Sequence, residues 1–358
     1  MSENSLFTNE GIEIPIFTKS IDYFLNRSVI LYGSSNSGKS TIIKDILYML
    51  KDHIPNICVI CPTNSLNKSY DDIVPKQLIH SEVSENLIKD ILKRQDISVK
   101  MYNMANNFDK LKSIYKGLFK KNESKLSKIN NTYTSIKNKL ENNNNIHFSE
   151  KKINLNELEN MHKKRLLKFY QTEITNNLKY INKCNIDDSD KLIMKHININ
   201  PNFLLIIDDA AVSASVWCRY REIKELFFNG RHHRITFMIA FQDDKLLESS
   251  LRKNAFINIF TTEKVCNSFF ERSTNGFTRA EKKRMSEISE TVFNDKKLGT
   301  KNYKKIVYLK DSLPTSYYMI ADCVDDFMFG SDYLIEYCDK IKKGDDAMSI
   351  LEFDSYFD

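Results

Sequence analysis

Eight consecutive residues carry the clearest chemistry in the chain. Gly33-Ser34-Ser35-Asn36-Ser37-Gly38-Lys39-Ser40, with Thr41 next, meets every fixed position of the pattern G-x-x-x-x-G-K-[ST]. Gly33 and Gly38 permit the backbone angles that turn amide N–H groups inward. Those donors, with the N-terminus of a following helix, make a cradle for the β- and γ-phosphates of a nucleotide. Lys39 adds a point charge, and the Ser40 hydroxyl is expected to coordinate Mg²⁺. The competing reading is a glycine turn without a ligand. An apolar segment before the loop and a helical pattern after it give the context that phosphate binding requires.

A second constellation lies far along the chain. Phe203–Ile207 is strongly apolar and is followed at once by Asp208 and Asp209. Adjacent carboxylates at the end of a buried strand are costly unless they meet a cation, and parallel α/β sheets bind ligands at that edge. Asp208 is expected to hold Mg²⁺ through water, and Asp209 to orient and polarise an attacking water. Alternatively, either one caps the next helix. Gln242 ends a further apolar run and is placed to sense the γ-phosphate or the attacking water, or else is a surface residue. Arg231 and Arg234 flank His232 and His233 just before that run. An arginine offered to a neighbouring subunit's nucleotide would stabilise transition-state charge; Arg231 is the first choice and Arg252 the second, and for each a structural ion pair is the alternative. The two adjacent histidines lack a carboxylate partner on their segment and make a poor metal site. No guanine-reading NKxD follows a strand, since Asn67-Lys68-Ser69-Tyr70 lacks the Asp; ATP is therefore expected over GTP.

The elements that must position these groups read as an α/β fold. A strand at 28–32, the glycine loop, a helix at 39–51 and a strand at 57–61 form the βαβ unit of a parallel sheet. Residues 12–17 are a short apolar lead-in, 72–75 a turn, 84–94 a helix and 97–101 a short strand. Residues 103–200 are rich in Asn, Lys and Ile, with helical spacing at 111–126 and 157–178 and an Asn run at 142–145. They are expected to form a helical hairpin insertion with a disordered tip. Strands at 203–207, 235–241 and 256–261, a helix at 216–228 and a hairpin of 305–309 with 316–321 complete the pattern. The expected organisation is a core from 1–102 and 201–310, the insertion 103–200, and an extension 311–358.

Bulk properties narrow the setting. The 358 residues carry a net charge of +6, and hydrophobic residues make up 41%. Between 101 and 184 stand 17 Lys and Arg against 7 Asp and Glu, an excess of 10, so the remainder is slightly acidic. Charge concentrated in one stretch suits contact with a polyanion; a solvated helical face is the plainer alternative. Seven scattered cysteines, including a lone Cys58-x-x-Cys61, suggest a reducing compartment and disfavour zinc. No signal sequence or membrane-length apolar run is evident, so a soluble intracellular protein is expected.

Taken together, GSSNSGKST, CPTNSLNKSY, LLIIDDA and GRHHRITFMIAFQDD resemble the DNA-packaging ATPases of nucleocytoplasmic large DNA viruses, poxvirus-type members of the FtsK-HerA group of P-loop motors. The resemblance covers 12 to about 262 without the insertion, and more weakly the tail to 337. It implies an ASCE/RecA-like sheet with the glycine-loop strand beside the sensor strand. It also implies a homo-oligomeric ring, ATP hydrolysis at subunit interfaces, double-stranded DNA in the channel, and capsid or portal proteins as partners. The implied location is the virus factory in the host cytoplasm, with the virion as a second place. By position, Lys39 and Ser40 would bind phosphate and magnesium, Asp208 magnesium, Asp209 would be the catalytic member of the acidic pair, and Gln242 the sensor. Many relatives of the wider group carry Glu where this chain has Asp209, and the insertion has no counterpart from which a role can be carried over. A helicase, a small-molecule kinase or an ATP-binding virion assembly factor are the other classes compatible with the loop.

Overall fold

The computed structural model describes residues 5–118, 123–143, 147–178, 187–242, 245, 247–310 and 315–342. In chain order its elements are β1 (Leu6–Phe7), β2 (Glu13–Ile14), α1 (Ile21–Phe24), β3 (Ser28–Tyr32), α2 (Lys39–Leu50), β4 (Asn56–Ile60), α3 (Asn64–Asn67), β5 (Ile79–His80), α4 (Glu85–Ala105), α5 (Phe108–Leu118), α6 (Glu123–Glu141), α7 (Phe148–Asn176) and α8 (Asp188–Lys195). There follow β6 (Phe203–Ile207), α9 (Ala214–Trp217), α10 (Arg221–Asn229), β7 (Ile235–Phe241), α11 (Ser249–Asn254), β8 (Ile257–Phe260), α12 (Glu263–Glu271), α13 (Arg279–Asn294), β9 (Lys304–Leu309), β10 (Thr315–Ile320) and α14 (Asp332–Lys342). Two compact units result, one from 1–96 with 201–358 and the other from 97–200.

The first unit is built on an eight-stranded sheet ordered β10-β9-β8-β3-β7-β6-β4-β5. Strands β5 to β8 in that order run parallel, and β9 and β10 extend the sheet antiparallel. Numbered along the chain, the five central strands β3, β4, β6, β7 and β8 stand as 5-1-4-3-2. This is the P-loop NTPase fold of the ASCE/RecA-like kind, with β7 inserted between the loop strand β3 and the acidic strand β6. Strands β3, β6 and β7 are continuous apolar runs because both faces are covered. Val29 and Leu31 pack to one side with Ile42, Ile43, Ile46 and Leu47 of α2. Ile30 and Tyr32 pack to the other with Phe269 and Phe270 of α12 and Ile288 and Val292 of α13. Each such side chain taken out of water stabilises the sheet by about 1.5–3 kcal/mol.

The second unit is helical. Leu111, Ile114 and Tyr115 of α5, Leu166, Tyr170 and Ile174 of α7, and Ile193 and Met194 of α8 form its core. The Tyr115 and Tyr170 rings lie 5.0 Å apart. Glu173, largely buried, is held by Lys125 of α6 at 2.9 Å. Beyond that core α6 and α7 continue as a pair, where Tyr133 stacks on His162 at 4.1 Å.

Three local expectations need correction. Residues 97–101, expected as a strand, lie inside α4, which is 21 residues long. Ile97, Val99 and Met101 alternate with Ser98 and Lys100, but five residues are too few to fix a period, and no glycine or proline separates them from the helical pattern before them. The helix expected at 216–228 is two helices, broken where Tyr220 takes φ −58° and ψ 137° before α10. The helical pattern at 111–126 divides between α5 and α6, with 119–122 outside the described residues. The expected disordered tip also falls partly outside them, at 144–146, as does all of the tail beyond α14, 343–358.

Trp217 is the only tryptophan in the chain and is buried in the sheet unit, so its fluorescence reports that unit alone. Leu205→Ala, at a fully buried position of β6, is expected to cost about 2–5 kcal/mol through lost packing and a residual cavity. Urea unfolding followed by Trp217 emission measures this. A loss below about 1 kcal/mol would mean that β6 is not the close-packed centre of the sheet.

Candidate nucleotide-binding site

Parallel register brings the chemical groups to one edge. Tyr32 pairs with Phe241 and Ile207 with Ile239, so Gly33, Asp208 and Gln242 all leave the sheet at its carboxyl end. The strand spacing puts β6 about 10 Å from β3, two strands away, a gap that suits a phosphate chain and its counter-ion.

The loop is tied to the sheet at both ends of its turn. Gly33 donates its N–H to the Phe241 carbonyl at 3.0 Å. The Ser37 hydroxyl donates to the Ser34 carbonyl at 2.7 Å and lies 2.6 Å from the Thr261 hydroxyl. A Cβ at Gly33 would stand 1.8 Å from that Thr261 oxygen, so only glycine fits. Gly38 has φ +81° and a Cβ there would stand 2.1 Å from the Asn302 carbonyl oxygen. Lys39 is buried, and its Nζ donates to the carbonyls of Gly33 at 2.7 Å and Ser34 at 3.0 Å. Burial pushes the Lys39 ammonium below its ordinary pKa, and the charges of Asp208 and Asp209 oppose that push. Ser34, Ser35, Asn36 and Ser40 are exposed along the loop and Thr41 is half-buried.

The two carboxylates have different surroundings. Asp208 is 4% exposed and accepts a hydrogen bond from the Tyr70 hydroxyl at 2.8 Å. Burial raises its pKa above the usual carboxylate value, while the Tyr70 hydroxyl and Lys39 act in the opposite sense. Asp209 adopts φ +53°, in the left-handed region, and accepts from the Thr63 hydroxyl at 3.0 Å. Both partners come from the segment after β4. Asn64 shapes that segment: its side chain donates to Asp71 at 2.8 Å and accepts the Tyr70 N–H at 3.0 Å. Trp217 braces the far side, donating its indole N–H to the Ala210 carbonyl at 3.0 Å and stacking on Phe241.

The structure thus brings together Lys39, Asp208 and Asp209, with Gln242 exposed one residue past β7. It does not bring the arginines there. Arg231 is exposed in the turn that enters β7, at the amino end of the strands, opposite its own loop. Arg252 corrects an expectation. It is 5% exposed and donates to Asn275 at 2.9 Å, to Thr274 at 2.9 Å and to the Leu247 carbonyl, so its guanidinium braces its own unit and is not presented to a neighbour. His233 bridges Asp96 at 2.6 Å and Glu225 at 3.4 Å, also a structural contact. Tyr70, Thr63 and Thr261 were not legible as site residues; the first two stand in CPTNSLNKSY, which offers only a polar loop after a strand. Cys58 and Cys61 are buried, and burial pushes the Cys58 thiol up to about 12. Among the described residues no cluster of three His, Cys, Asp or Glu could hold a metal, and no helix is long and apolar enough to cross a membrane.

Tyr70→Phe removes the hydrogen bond that favours ionised Asp208. The folded-state pKa, already raised, should rise further above the unfolded value. The folded state then binds more protons than the unfolded chain over a wider range, and stability falls as pH rises through it. The cost, about 1.5–3 kcal/mol for a hydrogen bond to a charged group, is expected at neutral pH and should vanish as pH falls through the folded-state pKa of Asp208. Thermal melts of both proteins across pH test this; a cost independent of pH would contradict it.

No protein-family model matches the chain. The uncharacterized protein B354L of an African swine fever virus warthog isolate from Namibia is 30% identical over 356 residues, covering 93% of each chain. The uncharacterized protein L437 of Acanthamoeba polyphaga mimivirus is 24% identical over 230 residues, 64% of this chain and 50% of that protein. Among solved structures, the genome packaging NTPase B204 of Sulfolobus turreted icosahedral virus 2 is 16% identical, covers 82% of this chain and 98% of its own, and gives a TM-score of 0.34. The pCW3 conjugation coupling protein TcpA is 12% identical over 90% of this chain and 67% of its own, with a TM-score of 0.41. The viral relatives are proteins of large DNA viruses, the group to which the sequence resemblance points. With 30% identity across 93% of both chains, this protein belongs to the family of the African swine fever virus B354L protein.

Proposed function

We propose that the chain is an ATPase that translocates double-stranded DNA and serves to package a viral genome into its capsid. The observation that carries the ATPase reading is the gathering of the glycine loop, a buried ammonium and two carboxylates at one edge of the sheet, with Lys39 and Asp208 close enough to act on each other's protonation. The DNA and packaging parts rest on the sequence resemblance, on relatives from large DNA viruses and on the excess of 10 positive charges in 101–184.

The residues fit Mg²⁺. That ion keeps several waters and is held by one or two carboxylates together with substrate phosphates; Asp208 and the Ser40 hydroxyl offer such a sparse oxygen set. When bound, Mg²⁺ neutralises charge on the transferring phosphoryl group. The loop N–H groups from Ser34 to Thr41 bind the phosphates, and Lys39 exchanges its carbonyl partners for phosphate oxygens, which are stronger acceptors. Asp209, oriented by Thr63, positions a water in line with the γ-phosphate and takes its proton. Gln242 senses the γ-phosphate or that water. Because Arg231 is exposed and remote from its own loop, it is suited to reach a neighbouring subunit's nucleotide in a ring. DNA contacts go to phosphates, are nearly blind to sequence and weaken with salt. Action in the virus factory of the host cytoplasm, against capsid or portal proteins, follows from the same reading.

The test is ATP hydrolysis with and without double-stranded DNA. Stimulation by DNA of any sequence is expected, declining as salt rises. Lys39→Ala should lower the rate by roughly a hundredfold or more, the scale of removing one preorganised charge contact. Hydrolysis that is indifferent to DNA would defeat the translocase reading and leave an ATPase of another kind.

A further inference from the structure

Lys305 is fully buried at the start of β9, the strand that borders β8. Its Nζ donates to the Ser37 carbonyl at 3.4 Å and to the Asn302 carbonyl. Among the described residues no carboxylate pairs with it, and burial pushes the ammonium down to about 8. Lys305 and the turn before it are pressed against the loop: a Cβ on Gly38 would lie 2.9 Å from Nζ and 2.1 Å from the Asn302 carbonyl oxygen. An ammonium buried against neutral carbonyls alone is expensive. An apolar side chain of similar volume would often be neutral or stabilising in its place.

The peptide joining Ser37 to Gly38 explains what the charge can do. In a trans peptide the C=O and the following N–H point in opposite directions. A cation that holds the Ser37 carbonyl on the sheet side of the loop therefore directs the Gly38 N–H to the other side, where the loop turns its donors. We propose that Lys305 is a positioning residue of the phosphate site, fixing the Gly38 N–H toward the nucleotide and setting a second positive charge behind the loop. This rests on the nucleotide-binding reading above. The neighbouring Lys304 serves as contrast. It is also buried, but its Nζ donates to the carbonyls of Phe293, in the last turn of α13, and of the C-cap Asp295, where a cation favours the helix end.

The experiment measures equilibrium binding of ATP and of AMP, together with nucleotide-free melting temperature, for the full chain and for Lys305→Met, Lys305→Gln, Lys304→Met and Lys39→Ala. Lys305→Met should lower ATP affinity roughly tenfold, the equivalent of one pK unit, with little change for AMP. Its nucleotide-free melting temperature should equal or exceed that of the unaltered protein. Lys305→Gln, which lacks the charge and the reach, should lose ATP affinity in the same selective way and stands in if the methionine variant does not fold. Lys304→Met should melt lower with ATP affinity unchanged. Unaltered ATP affinity in a folded Lys305 variant, or equal losses for ATP and AMP with a lowered melting temperature, would overturn the proposal. If the unaltered chain binds no ATP, or Lys39→Ala binds it equally well, the nucleotide reading itself fails.

Discussion

Three charged groups share one edge of the sheet, and two of them, Lys39 and Asp208, are buried there. Burial drives the Lys39 ammonium and the Asp208 carboxylate toward their neutral forms, and their mutual attraction restrains both. A site with these opposed tendencies is costly without a ligand, and the nucleotide proposed for it would relieve that cost. Its phosphates would offer acceptors to the ammonium and the loop N–H groups, and an accompanying divalent cation would offer a partner to the carboxylate. The rest of the unit keeps these charges in place without neutralising them. The Tyr70 hydroxyl and the Thr63 hydroxyl hold the two carboxylates with neutral donors, and neutral carbonyls hold Lys39.

Strand order makes that arrangement possible. With β7 between β3 and β6, the loop and the acidic pair face each other across one intervening strand, and Gln242 emerges from that strand. The anchoring is redundant. Phe241 accepts the Gly33 N–H and lies under Trp217, whose indole also grips Ala210 just past Asp209. One aromatic pair thus ties the glycine loop, the end of β7 and the acidic segment together. A shift in any of the three would be felt by the others.

Much of this was legible from residues alone, for physical reasons. Strands β3, β6 and β7 fall where continuous apolar runs predict them, because strands buried on both faces need no alternation. Gly33, Gly38 and Lys39 announce themselves because a loop that wraps phosphates tolerates few alternatives. What stayed hidden depends on contacts between distant segments. Tyr70 meets Asp208 across 138 positions, and Thr261 meets Ser37 across 224; nothing local marks either. Arg252 looked available because its burial is decided by Thr274 and Asn275 on a later turn. The segment 97–101 misled because its alternation of Ile97, Val99 and Met101 with Ser98 and Lys100 is strand-like over five residues, while the longer window belongs to α4.

The most direct test of the central claim is to separate binding from hydrolysis at Asp209. ATP binding in the presence of Mg²⁺ and single-turnover hydrolysis would be measured for the unaltered chain and for Asp209→Asn, which preserves shape and removes the proposed base. The account predicts ATP affinity within about threefold and hydrolysis slowed by roughly a hundredfold or more, the range over which a positioned general base contributes. Hydrolysis by Asp209→Asn at a rate near that of the unaltered protein would contradict the account and place the water-activating group elsewhere.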